Sequence, residues 1–331
     1  GAPGRARLDR DGLTVDHPYR PRRAALTRAS RGSVVVALST GAARRPDGCA
    51  AGYRRGVSGM GEWDATTYEG KDTILRVVRR EADELFALVE PAEVWDRKTA
   101  CAKWSTRDVV GHLVDTIEGY FAAFDAVHSG TEPAKPHGLP AMSQVAGDQA
   151  IAFRDASQAE MLERLHTDFD KVMELLDSVG PDDWAGLIVT HPYMGPVPAF
   201  FYAAGQLMDF AVHSWDIREG SGQAHTMSAD AADLLIPFMF VLWQASIRAD
   251  ADTSPFQLGI RVTTGHNAGD FRVSISPDGM TYEPGSVDDL PSVLEFDAAS
   301  LVLVAFGRCD AGTMRGDRAI AERFLNLFFR V

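Results

Sequence analysis

The sequence predicts an α-helical bundle followed by a small α+β domain. The chain has 331 residues, a length that is typical of two domains. Between residues 68 and 218, apolar residues recur at helix spacing in four long stretches with modest connections, which is the pattern of a bundle. After residue 255 the pattern changes to β-type alternation, in "FQLGIRVTT" and "DFRVSIS", before helical spacing returns. We therefore predict the bundle at 65–222 and the α+β domain at 223–331.

Residues 1–64 are predicted to form a disordered basic extension. Gly, Pro, Arg and Ala dominate this segment, and its apolar residues follow no period. Residues 1–59 contain twelve Arg and four Asp, whereas the rest of the chain has a net charge of −21. A body that acidic repels phosphate backbones, so its charge argues against nucleic acid as a partner.

The helices of the bundle follow from their spacing and their ends. The first has apolar residues at helix positions before Pro91: Ile74, Val78, Leu85 and Val89. The second opens at "WSTRDVVGHLVDTIEGYFAAFDAV", where Ser105 and Asp108 resemble a capping box with Asp in place of the usual Glu. A long helical zone at 142–179, with a break near Asp155, precedes a turn at "GPDDW" (180–184). A further helix is predicted at 198–218.

The α+β domain is predicted to begin with an apolar helix at 228–248. The alternating stretches "FQLGIRVTT" and "DFRVSIS" are interpreted as strands, "PDG" (277–279) as a turn and "MTYE" as a third short strand. The stretches "DAASLVLVAFG" and "GDRAIAERFLNLFF" return to helix spacing.

Cysteine content and hydropathy predict a cytoplasmic protein without a membrane partner. The three Cys are widely spaced and form no CxxC pair, which suits a reducing compartment. No stretch reaches the roughly 18 apolar residues that a membrane-spanning helix needs.

A polar stripe on the helix at 198–218 is the first candidate site. On a helical wheel the stripe lies between two apolar flanks and contains Tyr202, Gly205, Gln206, Asp209, His213 and Asp216. Such a stripe is typical of a helix that lines a bundle interior, where a buried charge needs a partner or a metal.

His112 on the second predicted helix could complete this site. It lies beside small residues on its helix, which leave room near the imidazole: Thr116, Gly119 and Ala123. His112 together with Asp209 and His213 would supply three ligands, the number that catalytic zinc sites use. The spacing alone leaves the alternative open, in which His112 is a core histidine and Asp209 and His213 form a local charge pair.

Two segments resemble the signature motifs of a known family. "WSTRDVVGHLVD" and "MDFAVHSWDIREG" resemble those of the mycothiol-dependent maleylpyruvate isomerase family, within the DinB-like metalloenzyme superfamily. "FGRCDAGTMRGDRAIAERFLNLFF" resembles the second domain of that family, which is similar to sterol carrier protein folds. Over residues 68–331, the resemblance implies a DinB-like four-helix bundle followed by a small sterol-carrier-protein-like α+β domain.

The resemblance also implies a ligand set. In the family a divalent metal, usually zinc, is held by residues that correspond to His112, Asp209 and His213. The family acid is usually Glu, and Asp209 is one methylene shorter.

Further candidates lie around this ligand set. Asp216 is placed to orient His213, and His191 is expected in a loop that faces the cavity. The family uses an Arg from the second domain at its active site, and the candidates for this catalytic role are Arg308 and Arg315. Arg315 precedes a predicted helix start, a position that suits a carboxylate-bearing ligand.

The resemblance implies a mycothiol-dependent metalloenzyme. In the family's isomerases the thiolate of the cosubstrate adds to a conjugated cis double bond, rotation follows, and elimination gives the trans product. We therefore expect an isomerisation or a thiol transfer, with a small electrophile and a low-molecular-weight thiol as partners. One alternative is a DinB-like metal-dependent hydrolase or thiol S-transferase that acts on a xenobiotic. Another is a non-enzymatic metal- or ligand-binding sensor.

Overall fold

The computed structural model describes residues 61–101, 103–222 and 225–329. The helices of this part of the chain are α1 (Lys71–Val89), α2 (Thr106–Ser129), α3 (Leu139–Ile151), α4 (Gln158–Ser178), α5 (Pro181–Gly186), α6 (Phe200–Gly220), α7 (Ala229–Ala245), α8 (Ala298–Ala305) and α9 (Arg318–Leu325). The strands are β1 (Ile188–His191), β2 (Gly195–Pro198), β3 (Phe256–Val262), β4 (Gly269–Ser276), β5 (Gly279–Pro284), β6 (Ser292–Phe296) and β7 (Thr313–Gly316).

The long helices form the bundle that the sequence predicts. Helix α1 packs along α6, and α2 packs against both α3 and α4. The predicted break near Asp155 is confirmed, because α3 ends at Ile151 and α4 begins at Gln158. Ser157 caps α4, and its hydroxyl accepts a hydrogen bond from the Glu160 amide at 3.3 Å.

The predicted capping box fixes the start of α2. The Asp108 carboxylate accepts hydrogen bonds from the Ser105 amide and hydroxyl, both at 2.9 Å. Arg154, just beyond α3, donates to the same carboxylate at 2.7 and 2.9 Å. The box therefore joins the beginning of the helix that carries His112 to the segment that follows α3.

We expect Asp108→Ala to lower the free energy of unfolding by about 2 kcal/mol, because it removes the cap and leaves Arg154 without its carboxylate. Urea denaturation measures this change. Arg154→Gln is the control: it loses only a half-exposed cation and keeps the cap, so we expect a clearly smaller loss of stability. Equal losses in the two variants would show that the cap contributes nothing of its own.

The second half of the chain contains a five-stranded sheet of order β5-β4-β3-β6-β7. Strands β3 and β6 are parallel, and the other pairs are antiparallel. The three predicted strands correspond to β3, β4 and β5, whereas β6 and β7 were not predicted. Strand β7 is exposed along its whole length, so it has no alternation of buried and exposed residues to detect.

Three local predictions need correction. The predicted turn at 180–184 is wrong, because α5 begins there with Pro181 at its first position. His191 ends strand β1 rather than lying in a loop, and β1 pairs with β2 in an unpredicted hairpin. Residues 1–60 of the predicted extension lie outside the described residues, but Gly61–Trp63 forms a short 3-10 helix whose Trp63 ring stacks on His266. The predicted boundary at residue 64 therefore lies too late.

Helix α7 joins the bundle to the sheet. It is buried nearly all round, and it packs against α1 and α6 on the bundle side and against α8 and β5 beyond it. The predicted domains therefore share one hydrophobic core. The boundary between residues 222 and 223, like the likeness of the second domain to sterol carrier proteins, stays a prediction. Within the described ranges, no helix has the length and apolarity that crossing a membrane requires.

Candidate metal centre

Helices α2 and α6 bring the three predicted ligands together. One possible ligand atom from each of His112, Asp209 and His213 lies within 4.8 Å of the other two. His112 Nε2 is 3.6 Å from Asp209 Oδ1, and the rings of His112 and His213 meet edge to face with centroids 5.1 Å apart. The convergence comes from the contact between α2 and α6, with Asp209 and His213 one turn apart on α6.

Asp216 holds His213 from behind. Its Oδ2 lies 2.9 Å from His213 Nδ1, as the spacing on α6 predicts, which leaves Nε2 for a ligand. Burial lowers the pKa of His213, although the hydrogen bond to Asp216 opposes that effect, so the imidazole is neutral at pH 7. Burial alone would raise the pKa of the Asp216 carboxyl, but His213 and Arg308 hold it well below its usual range.

The surroundings of His112 suit a metal ligand better than a core histidine whose hydrogen bonds are all made. Its Nδ1 is buried and has no hydrogen-bond partner among the described residues, and 3.6 Å is too long for a hydrogen bond from Nε2 to Asp209. Two imidazoles and a carboxylate that face one another without mutual hydrogen bonds are a donor set that suits a divalent metal such as zinc. The residues present therefore fit the metal that the sequence implies.

A second cluster contains Cys101, His213 and Asp216. Here the Asp216 carboxylate already accepts hydrogen bonds from Arg308 at 2.8 and 3.1 Å, and the same guanidinium lies 3.5 Å from Cys101 Sγ. Burial and Asp216 raise the pKa of the Cys101 thiol to about 12, so it stays protonated and donates to Asp216 at 3.0 Å. The Arg308 guanidinium occupies the place that a metal ion would need, and the thiol is protonated. This cluster therefore supports His213 and is not a candidate metal site.

The turn after α8 directs Arg308 to Asp216. Gly307 has φ +65°, which is the left-handed conformation that glycine adopts readily. The Arg308 amide donates to Leu303 O at 2.8 Å and the Gly307 amide donates to Val304 O at 3.0 Å, the two bonds of a Schellman motif. The C-terminal part of the chain thus contributes one side chain to the centre of the bundle.

A cavity of about 1040 Å³ opens over the ligand cluster, and its walls are mostly apolar. His112, Asp209 and His213 line one end of it, together with Cys101 and Arg308. The Trp104 ring packs against both imidazoles, with centroids 5.0 Å from His112 and 5.8 Å from His213. A volume of this size accommodates small molecules.

Helix α3 and the β1–β2 hairpin form the outer wall of the cavity. His191 lines the cavity, as predicted, and its Nδ1 accepts hydrogen bonds from the Tyr193 and Met194 amides, both at 3.2 Å. Burial lowers the pKa of His191 to about 4, so this imidazole is neutral and its remaining proton lies on Nε2.

Arg315 lies away from the cavity. It belongs to strand β7, its side chain is 56% exposed, and it pairs with Asp288 at 3.3 Å. This placement corrects the assignment of Arg315 to the site, and it leaves Arg308 as the second-domain arginine beside the ligands.

Sequence reasoning did not identify several residues of the site. Cys101 and Trp104 lie in the loop before α2, where the Ala100 amide donates to Asp216 O at 2.9 Å. Tyr120 on α2 also lines the cavity. Loop residues follow no period, so only the folded chain shows which ones reach the cavity. Tyr120 has the helix spacing of an ordinary core residue.

Comparisons with known proteins agree with this architecture. The family model described as the mycothiol maleylpyruvate isomerase N-terminal domain matches residues 75–218. A crystal structure of the mycothiol-dependent maleylpyruvate isomerase is similar over 74% of this chain and 92% of that chain, with 13% identity and a TM-score of 0.51. At this identity the likeness shows the fold. No curated protein matches the chain significantly.

Two more distant likenesses carry no functional inference. The colibactin self-resistance protein ClbS, solved in complex with double-stranded DNA, has 12% identity over 47% of this chain and 97% of that chain, with a TM-score of 0.41. The sec-alkylsulfatase Pisa1 from Pseudomonas sp. has 13% identity over 66% of this chain and 30% of that chain, with a TM-score of 0.26.

Proposed function

We propose that this protein is a thiol-dependent metalloenzyme. The premise is that residues 75–218 belong to the mycothiol maleylpyruvate isomerase N-terminal domain family. Its cosubstrate is a low-molecular-weight thiol, mycothiol by family resemblance, and its reaction is the addition of the thiolate to a small electrophile. The observation that carries the proposal is the convergence of His112, Asp209 and His213 at one end of the cavity.

Each ligand residue has a defined part in this proposal. His112, Asp209 and His213 would hold a divalent ion, zinc by family resemblance. Such an ion lowers the pKa of a bound thiol, so that the thiolate nucleophile is available at neutral pH.

The surrounding residues orient the ligands and exclude water. Asp216 fixes the ring orientation of His213, and Arg308 fixes Asp216 through two hydrogen bonds. Arg308 therefore acts as a positioning residue. It could bind a substrate carboxylate with two hydrogen bonds only after both of its hydrogen bonds to Asp216 had broken. Trp104 covers the two imidazoles and keeps that end of the cavity apolar.

The partners follow from the cavity and the charge. A cavity of about 1040 Å³ suits small molecules, and the net charge of −21 over residues 60–331 favours them over nucleic acid. The cytoplasmic location predicted from the cysteine pattern belongs to the same proposal, because a thiol cosubstrate stays reduced there.

Turnover is expected to require both the metal and the thiol. The assay uses zinc-loaded protein with a panel of electrophiles that includes maleylpyruvate and simple alkylating agents, with and without mycothiol. Isomerisation of maleylpyruvate or thioether formation, each only with mycothiol present, supports the proposal. Chelation followed by re-addition of zinc should abolish and then restore the rate.

Three results would contradict this function. Turnover that is independent of thiol would indicate a metal-dependent hydrolase. Turnover that persists after complete metal removal would exclude the metal-assisted route. Tight binding of metal and mycothiol without turnover of any electrophile would indicate a sensor.

A further inference from the structure

Tyr120 presents a free phenol to the cavity. The residue is 2% exposed, yet it lines the cavity on the wall that α2 and α6 form. Its hydroxyl has no hydrogen-bond partner among the described residues, and neighbouring aromatic rings hold its own ring in place. These contacts are edge-on to Tyr202 at 4.6 Å and tilted to His191 at 5.7 Å. A phenol on the cavity wall without a protein partner is available to donate its hydrogen bond to a molecule bound in the cavity.

Gly205 leaves the space that the Tyr120 hydroxyl occupies. A methyl group at Gly205 would collide with Tyr120 Oη and would lie 3.3 Å from Cζ, so the phenol rests directly on the backbone of α6. Gly205 also lines the cavity. No turn or positive φ explains a glycine in the middle of α6, where glycine costs helix stability, and the close approach of Tyr120 does explain it.

The hydroxyl lies near the ligand cluster without belonging to it. Gly205 and Asp209 are four residues apart on α6, which corresponds to about 6 Å along the helix axis. That separation leaves space for a few substrate atoms between the ligands and the phenol. Burial and then the charge of Asp209 raise the pKa of Tyr120 well above its ordinary value, so the phenol keeps its proton at neutral pH.

We infer that Tyr120 is a catalytic residue whose O–H donates a hydrogen bond to the carbonyl oxygen of a conjugated substrate. This inference rests on the proposed function, and it adds a hydrogen-bond donor for the carbonyl group of the conjugated electrophile. It follows from a donor without a protein partner on the cavity wall, at a distance from the candidate ligands that a short conjugated chain can span.

The reaction balances without an oxidant or a reductant. The thiolate sulfur bonds to the β-carbon, the double-bond pair moves to join the α-carbon to the carbonyl carbon, and the carbonyl pair moves to oxygen. Tyr120 stabilises that oxygen by its hydrogen bond and keeps its proton. After rotation about the former double bond, the pairs return, the carbon–sulfur bond breaks and the thiolate leaves. The donor acts where negative charge develops, which is where such groups contribute most.

The kinetic test compares Tyr120→Phe with Tyr202→Phe in the zinc-loaded protein, with maleylpyruvate and mycothiol. Removing one donor that is aimed at a developing oxyanion should lower kcat by about 100-fold or more, with little change in KM. The Tyr202 hydroxyl is buried and partnerless but does not line the cavity, and Phe keeps the ring that packs on Tyr120, so Tyr202→Phe should leave kcat unchanged. Both variants should keep the metal content and a melting temperature within about 2 °C of wild type.

Gly205→Ala is a second and independent probe. It should lower kcat in the wild-type background, because the new methyl displaces the hydroxyl. In the Tyr120→Phe background the same change should have little further effect, since no hydroxyl remains to be displaced. Additive losses in the double variant would mean that Gly205→Ala acts through the helix and would overturn the assigned geometry.

A binding measurement keeps the inference separate from the proposed function. The saturated keto acid 4-oxopentanoate, with ¹³C at the ketone carbon, cannot accept a thiol and needs no turnover. Its carbonyl stretching band should appear at lower frequency when bound to wild type than when bound to Tyr120→Phe. The same band position in both proteins, or no bound band in wild type, overturns the role of Tyr120, whatever the activity assay shows. A shifted band without thiol-dependent turnover would support the donor and contradict the proposed function.

Discussion

Replacing His213 by Ala is expected to reduce bound zinc from about one ion per chain to almost none and to abolish turnover. The reason is that His213 is the most constrained of the three proposed ligands: it is buried, and Asp216 fixes its orientation. The loss of activity should exceed the roughly 100-fold upper range for residues that only orient a ligand. Elemental analysis after gel filtration measures the metal directly, and titration with a chelating dye gives the affinity.

Two variants serve as controls for this prediction. His137→Ala removes an imidazole from the outer part of the same cavity and should keep the full metal content. Asp209→Glu keeps a carboxylate and introduces the acid that is usual in the family whose motifs this chain resembles. It should therefore retain metal and at least part of the activity. Equal metal content in His213→Ala and wild type would contradict the proposed metal centre.

Replacing Asp216 by Ala is expected to lower the free energy of unfolding by about 3 kcal/mol or more and to weaken zinc binding roughly 10- to 100-fold. The side chain is fully buried and is the common partner of His213, Arg308 and Cys101. Its removal leaves a largely buried guanidinium without a counter-charge, which is more costly than the loss of an exposed pair. Urea denaturation of the metal-free protein gives the stability, and competition with a chelator gives the zinc affinity.

Asp288→Ala is the control that separates the effect of burial from the effect of losing an ion pair. Asp288 pairs with Arg261 and Arg315, but it is exposed, so its loss should cost less than about 1 kcal/mol. Arg308→Gln should weaken zinc binding less than Asp216→Ala does, because Asp216 keeps its hydrogen bond to His213. If Asp216→Ala and Asp288→Ala unfold at the same urea concentration, the buried pair does not stabilise the fold beyond a surface interaction.

The sequence by itself predicted the long helices and the candidate ligand set. Helix spacing and caps depend on residues within one or two turns, so α2, α4 and α6 could be predicted together with the capping box at Ser105 and Asp108. The spacing of Asp209, His213 and Asp216 on one helix likewise required that they share a face, and the motifs around them added His112. The short β1–β2 hairpin and the exposed strand β7 have no comparable local signal, because four-residue strands depend on their pairing partners.

Only the tertiary structure decided which distant residues surround the ligands. Arg308 and Arg315 looked alike as candidates, and the Schellman turn at Gly307 brings one to Asp216 while sheet pairing leaves the other on the surface. Cys101 and Trp104 reach the cavity because their loop is held to α6, and Tyr120 does so because Gly205 leaves space for its hydroxyl. The contacts of Tyr120, Cys101 and Arg308 in this site join residues from 85 to more than 200 positions apart in the chain, and no periodicity within a helix or strand contains that information.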